Sequence, residues 1–244
     1  MYNNLLNFIG TGNEFNTELG NTSAYFINNN NFYLIDCGSM VFDILIDDYF
    51  MDSMIKNFDS INVIITHTHA DRIGSLPTFI RYFKHIHNIK VNLFLSYGEN
   101  IVNLLKINDV HADVDYKIQF IEEYEFYHID SNVQIKAVSV GHSPSIMTYG
   151  YIIKVDEKVI YYSGDANNFG DDIESLIHQG YFDEIYHDAS CETYDYDKEC
   201  HMSLETLINT FSKEEADKFY LMNLGLNFDY KLATDHGFHI CERF

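Results

Sequence analysis

The residues most able to do chemistry sit in the run Thr66-His67-Thr68-His69-Ala70-Asp71-Arg72, directly after the apolar stretch Ile61–Ile65. Histidines two apart at the end of a strand point to the same side, so both imidazoles can converge on one ion, and a carboxylate two residues further on can reach an adjacent site. A His-x-His pair alone fits two ordinary loop histidines equally well. Two other segments add to it: Gly141-His142 closes a second strand pattern and Ser163-Gly164-Asp165 a third. Histidine and carboxylate at three strand ends is how sheet proteins assemble a site for a borderline cation such as zinc.

The elements that must hold these residues are legible from patterning. Leu5–Gly10, Thr22–Asn28, Phe32–Asp36 and Ile61–Thr66 are β-branched or aromatic runs bounded by Gly, Asn or Asp, and read as strands. Val41–Met51 spaces its apolar residues as a helix would. Asp71–His87 carries Ile73, Leu76, Phe79, Ile80 and Phe83 at steps of three and four, an amphipathic helix. Pro77 is tolerated only in its first turn, which sets the start near Ser75. Val91–Asp130 alternates strand and helix signals. Val133–Val140, Gly150–Val155 and Val159–Ser163 read as strands joined by short turns. Asp172–Gly180 is a short helix with an Asx start and a Gly stop. Ser203–Phe211 and the Ser-x-x-Glu box at Ser212–Glu215 open two more helices. Phe219–Leu224 and Gly237–Cys241 read as the last strands. No repeat, Pro-rich linker or Gly/Ser tract interrupts the sequence, which predicts one domain over 1–244. Strands dominate each half, and a two-sheet sandwich with helices outside fits at least as well as a doubly wound sheet.

The chain has 244 residues, 46% of them hydrophobic and 16% aromatic, enough for a sizeable core and unlike a disordered chain. No apolar run approaches the roughly 18 residues of a membrane span. The first Lys or Arg is Lys56, which predicts no secretory signal. Four scattered cysteines (Cys37, Cys191, Cys200, Cys241) lack paired-ligand spacing and predict a reduced, cytoplasmic protein. The formal charge is −22, and the arginines are Arg72, Arg81 and Arg243 alone. Long nucleic acids bind mainly through phosphate neutralisation by Lys and Arg. The charge therefore disfavours them and leaves a small anion held at a local cation.

Taken together, the motifs resemble the metallo-β-lactamase superfamily, and within it the branch of tRNase Z and related phosphodiesterases. Phe8-Ile9-Gly10-Thr11-Gly12 is similar to that family's opening strand and glycine turn, and Leu34-Ile35-Asp36-Cys37-Gly38 to its second motif. His67-x-His69-x-Asp71 matches its metal signature. His142 with Tyr149-Gly150-Tyr151 matches the third-histidine segment, and Tyr162-Ser163-Gly164-Asp165 the bridging aspartate. Tyr186-His187-Asp188-Ala189 and His201-Met202-Ser203 resemble the segments that hold a carboxylate and a histidine beside the leaving group. Gly20-Asn21-Thr22-Ser23-Ala24-Tyr25 resembles small phosphodiesterases such as the phage-encoded anti-Pycsar enzymes, which hydrolyse cyclic nucleotides.

The resemblance implies an αββα sandwich. It implies a metal, Zn2+ with Mn2+ or Fe2+ as alternatives, at His67, His69 and His142 with Asp165 as bridge, and the departures below leave at most one tightly held ion. It further implies His201 as general acid oriented by Asp188, Asp71 as acceptor of the attacking water's proton, Asp36 behind the site, and a homodimer. Two positions depart from the family. A second histidine is expected where Arg72 stands, and a late strand-end histidine where Asn223 stands. The second metal site keeps Asp71 and Asp165 without its imidazoles, and Arg72 is expected beside it as a fixed cation; the alternative is an arginine pointing into solvent. His236 and His239 are rival ligands should the alignment be shifted. Tyr149 and Tyr151 read as strand packing, and His85, His87, His111, His128, His178 and His187 as structural or surface residues.

These features imply a metal-dependent, phosphodiesterase-like hydrolase of a small phosphate diester such as a cyclic nucleotide. The rival readings are a catalytically silent relative that binds a nucleotide or a protein partner, and a hydrolase of another bond, such as a lactone or thioester.

Overall fold

The computed structural model describes residues 4–47, 57–190 and 200–243. The chain separates into two compact units, one of Met1–Gly10, Gly20–Ile121 and Arg243–Phe244, the other of Thr11–Leu19 and Glu122–Glu242. The far end of the Val41–Met51 helix and Cys191 lie outside the described residues.

In the first unit, β1 (Asn7–Gly10), β2 (Ser23–Asn28), β3 (Asn31–Ile35), β4 (Ser60–Ile64), β5 (Val91–Leu95) and β6 (Tyr116–Phe120) form one sheet in sequence order. β1–β2–β3 pair antiparallel and β3–β4–β5–β6 parallel. Strands covered on both faces lose the in–out alternation, which is why Phe32–Ile35 and Ile61–Ile64 are buried without a break. The polar exception, Asn62, donates to the Phe32 carbonyl at 3.2 Å and accepts from Asn92 Nδ2 at 3.0 Å, so its burial is satisfied. Helix α1 (Val41–Asp47) follows β3, and the segment expected as one helix from Asp71 divides into α2 (Ala70–Ile73) and α3 (Leu76–His87). Ser75 is the N-cap of α3 and Pro77 lies in its first turn; Leu76, Phe79, Ile80 and Phe83 are its buried stripe, and Asn88 ends it in the left-handed conformation. Helix α4 (Glu99–Ile107) joins β5 to β6.

The second unit contains β7 (Tyr127–His128), β8 (Val133–Ser143), β9 (Ile146–Val155), β10 (Lys158–Tyr162), β11 (Glu184–Asp188), β12 (Phe219–Met222) and β13 (His239–Ile240), adjacent in that order. β7 to β10 run antiparallel and β10 to β13 parallel. β8 outruns its expected end, and His142 lies within it at an irregularity between Val140 and Ser143 rather than after it. Such bulges re-aim a side chain at the end of a ladder.

Helix α5 (Ile173–His178) starts at Asp172, but Asp172 has φ 62° and caps no backbone amide with its side chain, so the expected Asx start is replaced by a left-handed turn. Gly180, with φ 71°, supplies the stop. Helix α6 (Leu204–Thr210) is capped by Ser203, and α7 (Lys213–Ala216) carries the reciprocal Ser212–Glu215 capping box. Helix α8 (Tyr230–Asp235), capped by Asp229, spans too few residues for its period to stand out in the sequence.

Glu215 also accepts from His178 Nδ1 at 2.6 Å, tying α7 to α5. The His178 bond first, and then the Ser212 bonds, hold the Glu215 carboxyl down at about 2. A depressed carboxylate adds stability that is complete above its unfolded-chain value near 4.3 and is lost as the folded group takes up its proton. Glu215→Gln is therefore expected to lower the urea midpoint near neutrality, with the gap to wild type closing as the pH falls from about 4.3 toward about 2.

Candidate active site

The loop after β3 turns on Asp36, which is fully buried and has φ 61°. Its carboxylate accepts from Thr66 N at 2.8 Å and from Thr66 Oγ1 at 2.8 Å, and Thr66 Oγ1 in turn lies 3.1 Å from His67 Nδ1. A hydroxyl has one proton and an ionised carboxylate only accepts. Thr66 therefore gives its proton to Asp36, His67 Nδ1 carries hydrogen, and His67 Nε2 keeps its lone pair. That nitrogen lies 3.0 Å from His69 Nδ1. The two rings converge because the chain has left β4 at Ile64 and His69 sits at the N-cap of α2, not because both project from one strand.

The loop is held to α2 by backbone contact. Cys37 N donates to the Arg72 carbonyl at 2.6 Å. Gly38 lies so near that a Cβ there would stand 2.0 Å from the Asp71 carbonyl oxygen, so glycine alone fits. Burial pushes the Cys37 thiol up to about 12, leaving a packing residue rather than a nucleophile.

Arg72 does not point into solvent. It is 1% exposed and is among the largest fully buried side chains described. Its Nη1 bonds Asp71 Oδ2 at 2.9 Å and the Asp71 carbonyl at 3.2 Å, while Nε lies 3.8 Å from Asp36 Oδ2. A permanently charged, forked guanidinium suits this place because two buried carboxylates would otherwise lack counter-charge.

In the second unit, His142 Nδ1 donates to the Cys200 carbonyl at 2.9 Å, which leaves the lone pair on Nε2, 3.7 Å from Asp165 Oδ2. Gly164, with φ 62°, makes the turn that presents Asp165. Asp188, fully buried at the end of β11, accepts from His201 Nδ1 at 2.6 Å and Ala166 N at 3.0 Å on one oxygen, and from Ser190 N at 2.8 Å on the other. Its own amide donates to Ser163 Oγ at 2.9 Å, and that hydroxyl donates to the Gly164 carbonyl at 2.7 Å. His201 Nδ1 is thereby the protonated nitrogen, and the lone pair is left on Nε2. His201 opens on a cavity of about 520 Å³ that Ser190 and Phe228 also line.

His67 and His69 in the first unit, and His142 and Asp165 in the second, each offer one ligand atom for a metal ion. Three imidazole nitrogens and a carboxylate are the donor chemistry of zinc sites. The 3.0 Å between the first two nitrogens is close to the edge of about 3.3 Å set by tetrahedral bonds of about 2.0–2.1 Å.

The other expected residues are placed elsewhere. Asn223 follows β12 with φ 58° and its Nδ2 lies 3.4 Å from His201 Nδ1. His236 caps α8 on the Leu232 carbonyl, and His239 pairs with Asp217, so neither joins the histidine group. Tyr149 and Tyr151 are buried strand residues, Tyr149 bonded to Glu123. His187 is sealed among Phe169, Tyr161 and Phe219, where desolvation lowers its pKa. Thr66 and Ser163 were visible inside the motifs but had no assigned part. The Cys200 contribution is a backbone carbonyl, which no residue type could announce.

The chain matches the anti-Pycsar protein Apyc1 family over residues 5–242. It belongs to that family. A family relative, the anti-Pycsar protein Apyc1 of Bacillus phage BSP38, is 28% identical across 92% of this chain and 90% of its own. Among solved structures it is similar to a diphosphatase of the PhnP family, with a TM-score of 0.74, 16% identity and coverage of 98% of this chain and 94% of the other. It is also similar to human tRNase Z, short form, with a TM-score of 0.71, 15% identity and coverage of 98% and 96%. These likenesses show the metallo-β-lactamase αββα fold for this member of the Apyc1 family. Among the described residues no helix is long and apolar enough to cross a membrane.

Because Thr66 links Asp36 to His67, removing that hydroxyl tests the relay in this Apyc1-family chain. Thr66→Val is expected to weaken zinc binding by about 10–100-fold in competition with a chromophoric chelator, whereas Thr66→Ser stays near wild type.

Proposed function

We propose that this chain is a metal-dependent phosphodiesterase that opens a small phosphate diester, a cyclic nucleotide. The donor set of three imidazoles and a carboxylate, His67, His69, His142 and Asp165, carries this reading. The family match over residues 5–242 supports the substrate class. Zn2+ is the favoured ion, with Mn2+ or Fe2+ as alternatives, held by His67, His69, His142 and Asp165. Bound there, such a cation polarises a phosphoryl oxygen and makes water more acidic.

The chain's own residues divide the remaining work. His201, held through Nδ1 by Asp188, presents Nε2 to give a proton to the leaving oxygen. Asp71 is the carboxylate assigned to take the attacking water's proton, and Arg72 fixes its orientation. Asp36 and Thr66 set the His67 tautomer, as hydrogen-bonded partners behind metal ligands commonly do. Arg72 and Asn223 are read as an altered second site in which the guanidinium stands as the permanent cation, so one metal ion binds tightly. The net charge of −22 supports a small substrate gathered by local cations rather than a long nucleic acid. This function is assigned to one domain across 1–244, a homodimer and a cytoplasmic setting.

A second reading, a catalytically silent relative that binds a nucleotide or protein partner, is favoured by the Asp71–Arg72 pairing at 2.9 Å, which engages one carboxylate oxygen.

Elemental analysis of purified protein is expected to give one zinc per chain, and a panel of cyclic mononucleotides with bis(p-nitrophenyl) phosphate is expected to show turnover. His67→Ala should lose both the metal and the turnover, and His201→Ala should keep the metal while losing about 10²–10⁴-fold in rate. Two zinc ions per chain would refute the altered second site. Tight cyclic-nucleotide binding without turnover would favour the silent relative.

A further inference from the structure

Ser190 is 1% exposed, yet its hydroxyl makes no hydrogen bond among the described residues. Buried polar groups are nearly always paired, so an orphan needs a reason. Its backbone explains how it is placed: Ser190 N donates to Asp188 Oδ1 at 2.8 Å, while His201 Nδ1 bonds Asp188 Oδ2 at 2.6 Å. The two oxygens of one carboxylate thus fix the serine and the histidine together, and both line the cavity of about 520 Å³. That volume falls in the range of small-ligand sites. Beside them the walls bring apolar surface from Phe228 and Leu232 and polar atoms from Thr206 and Asn227, a mixture suited to a base and a sugar.

We propose that the Ser190 hydroxyl is a substrate-binding group. It donates a hydrogen bond to an oxygen of the phosphate ester beside the leaving oxygen that His201 protonates, with the nucleoside portion in the cavity. This rests on the phosphodiesterase reading above. A hydroxyl kept unpaired until substrate arrives is a polar group whose bond is made only in the complex. The free protein loses no hydrogen bond of that hydroxyl among the described residues when it is removed.

The test compares wild type, Ser190→Ala and Ser190→Thr as full-length, zinc-loaded protein. The measurements are thermal midpoint, hydrolysis of adenosine 3′,5′-cyclic monophosphate and of bis(p-nitrophenyl) phosphate, and calorimetric binding of the cyclic phosphorothioate analogue. Ser190→Ala is expected to raise KM for the cyclic nucleotide and weaken analogue binding by about tenfold or more, with a thermal midpoint equal to or above wild type and unchanged zinc content. Ser190→Thr, which keeps the hydroxyl, is expected to recover part of the binding. Wild-type kinetics in Ser190→Ala overturn the proposal while leaving the phosphodiesterase intact. A thermal midpoint several degrees lower also overturns it, because that marks a hydroxyl serving the fold. A wild type that neither turns over these esters nor binds the analogue overturns both.

Discussion

A guanidinium closed off from water, with a carboxylate on either side, is the constraint on which the site-bearing part of the first unit depends. Burying three formal charges is costly, and breaking such a group leaves an uncompensated charge behind. Here the cost is offset by geometry. Arg72 meets Asp71 at 2.9 Å and lies 3.8 Å from Asp36, while Asp36 satisfies its remaining capacity on the amide and hydroxyl of Thr66. The loop after β3 and the start of α2 are consequently one object. The Cys37 amide bonds the Arg72 carbonyl, and Gly38 lies against the Asp71 carbonyl with no room for a side chain. His67 inherits its tautomer from this arrangement.

The second unit solves the same problem without a cation. Asp188 is buried at the end of β11, and its charge is met by hydrogen-bond donors: His201, Ala166 N and Ser190 N. Charge-assisted bonds to backbone amides are short and directional, so one side chain sets the positions of the Asp165 loop, the residue after Ala189 and the histidine. Ser163 closes the circle by accepting from Asp188 N and donating to Gly164 O. In both units a carboxylate behind a histidine gives the ring its orientation, in one through a hydroxyl and in the other directly.

The acidic surface and the buried cation act at different ranges. A net charge of −22 sets a repulsive field toward polyanions, screened over about 8 Å at physiological salt. Inside the protein Arg72 is shielded from that screening and acts on the two carboxylates it touches.

The sequence by itself determined many of the elements and the set of candidate residues. β-branched and aromatic runs bounded by Gly, Asn or Asp mark β2, β3 and β4, and a period of three to four marks α3, because these patterns are local properties of residue order. The His67-x-His69-x-Asp71 run, His142, Asp165 and the Asp188–His201 segments stand out because few residue types bind metals or carry protons. What only the tertiary structure decided is partnership. Nothing in the residue order says that Arg72 turns inward to Asp71, that a bulge places His142 inside β8 with its Nδ1 on the Cys200 carbonyl, or that α8 forms at all. Nor does it say that Ser190 keeps a buried hydroxyl unbonded among the described residues. Those outcomes depend on which groups from distant parts of the chain meet when water is excluded, and backbone carbonyls and amides, identical at nearly every position, supply half of the partners.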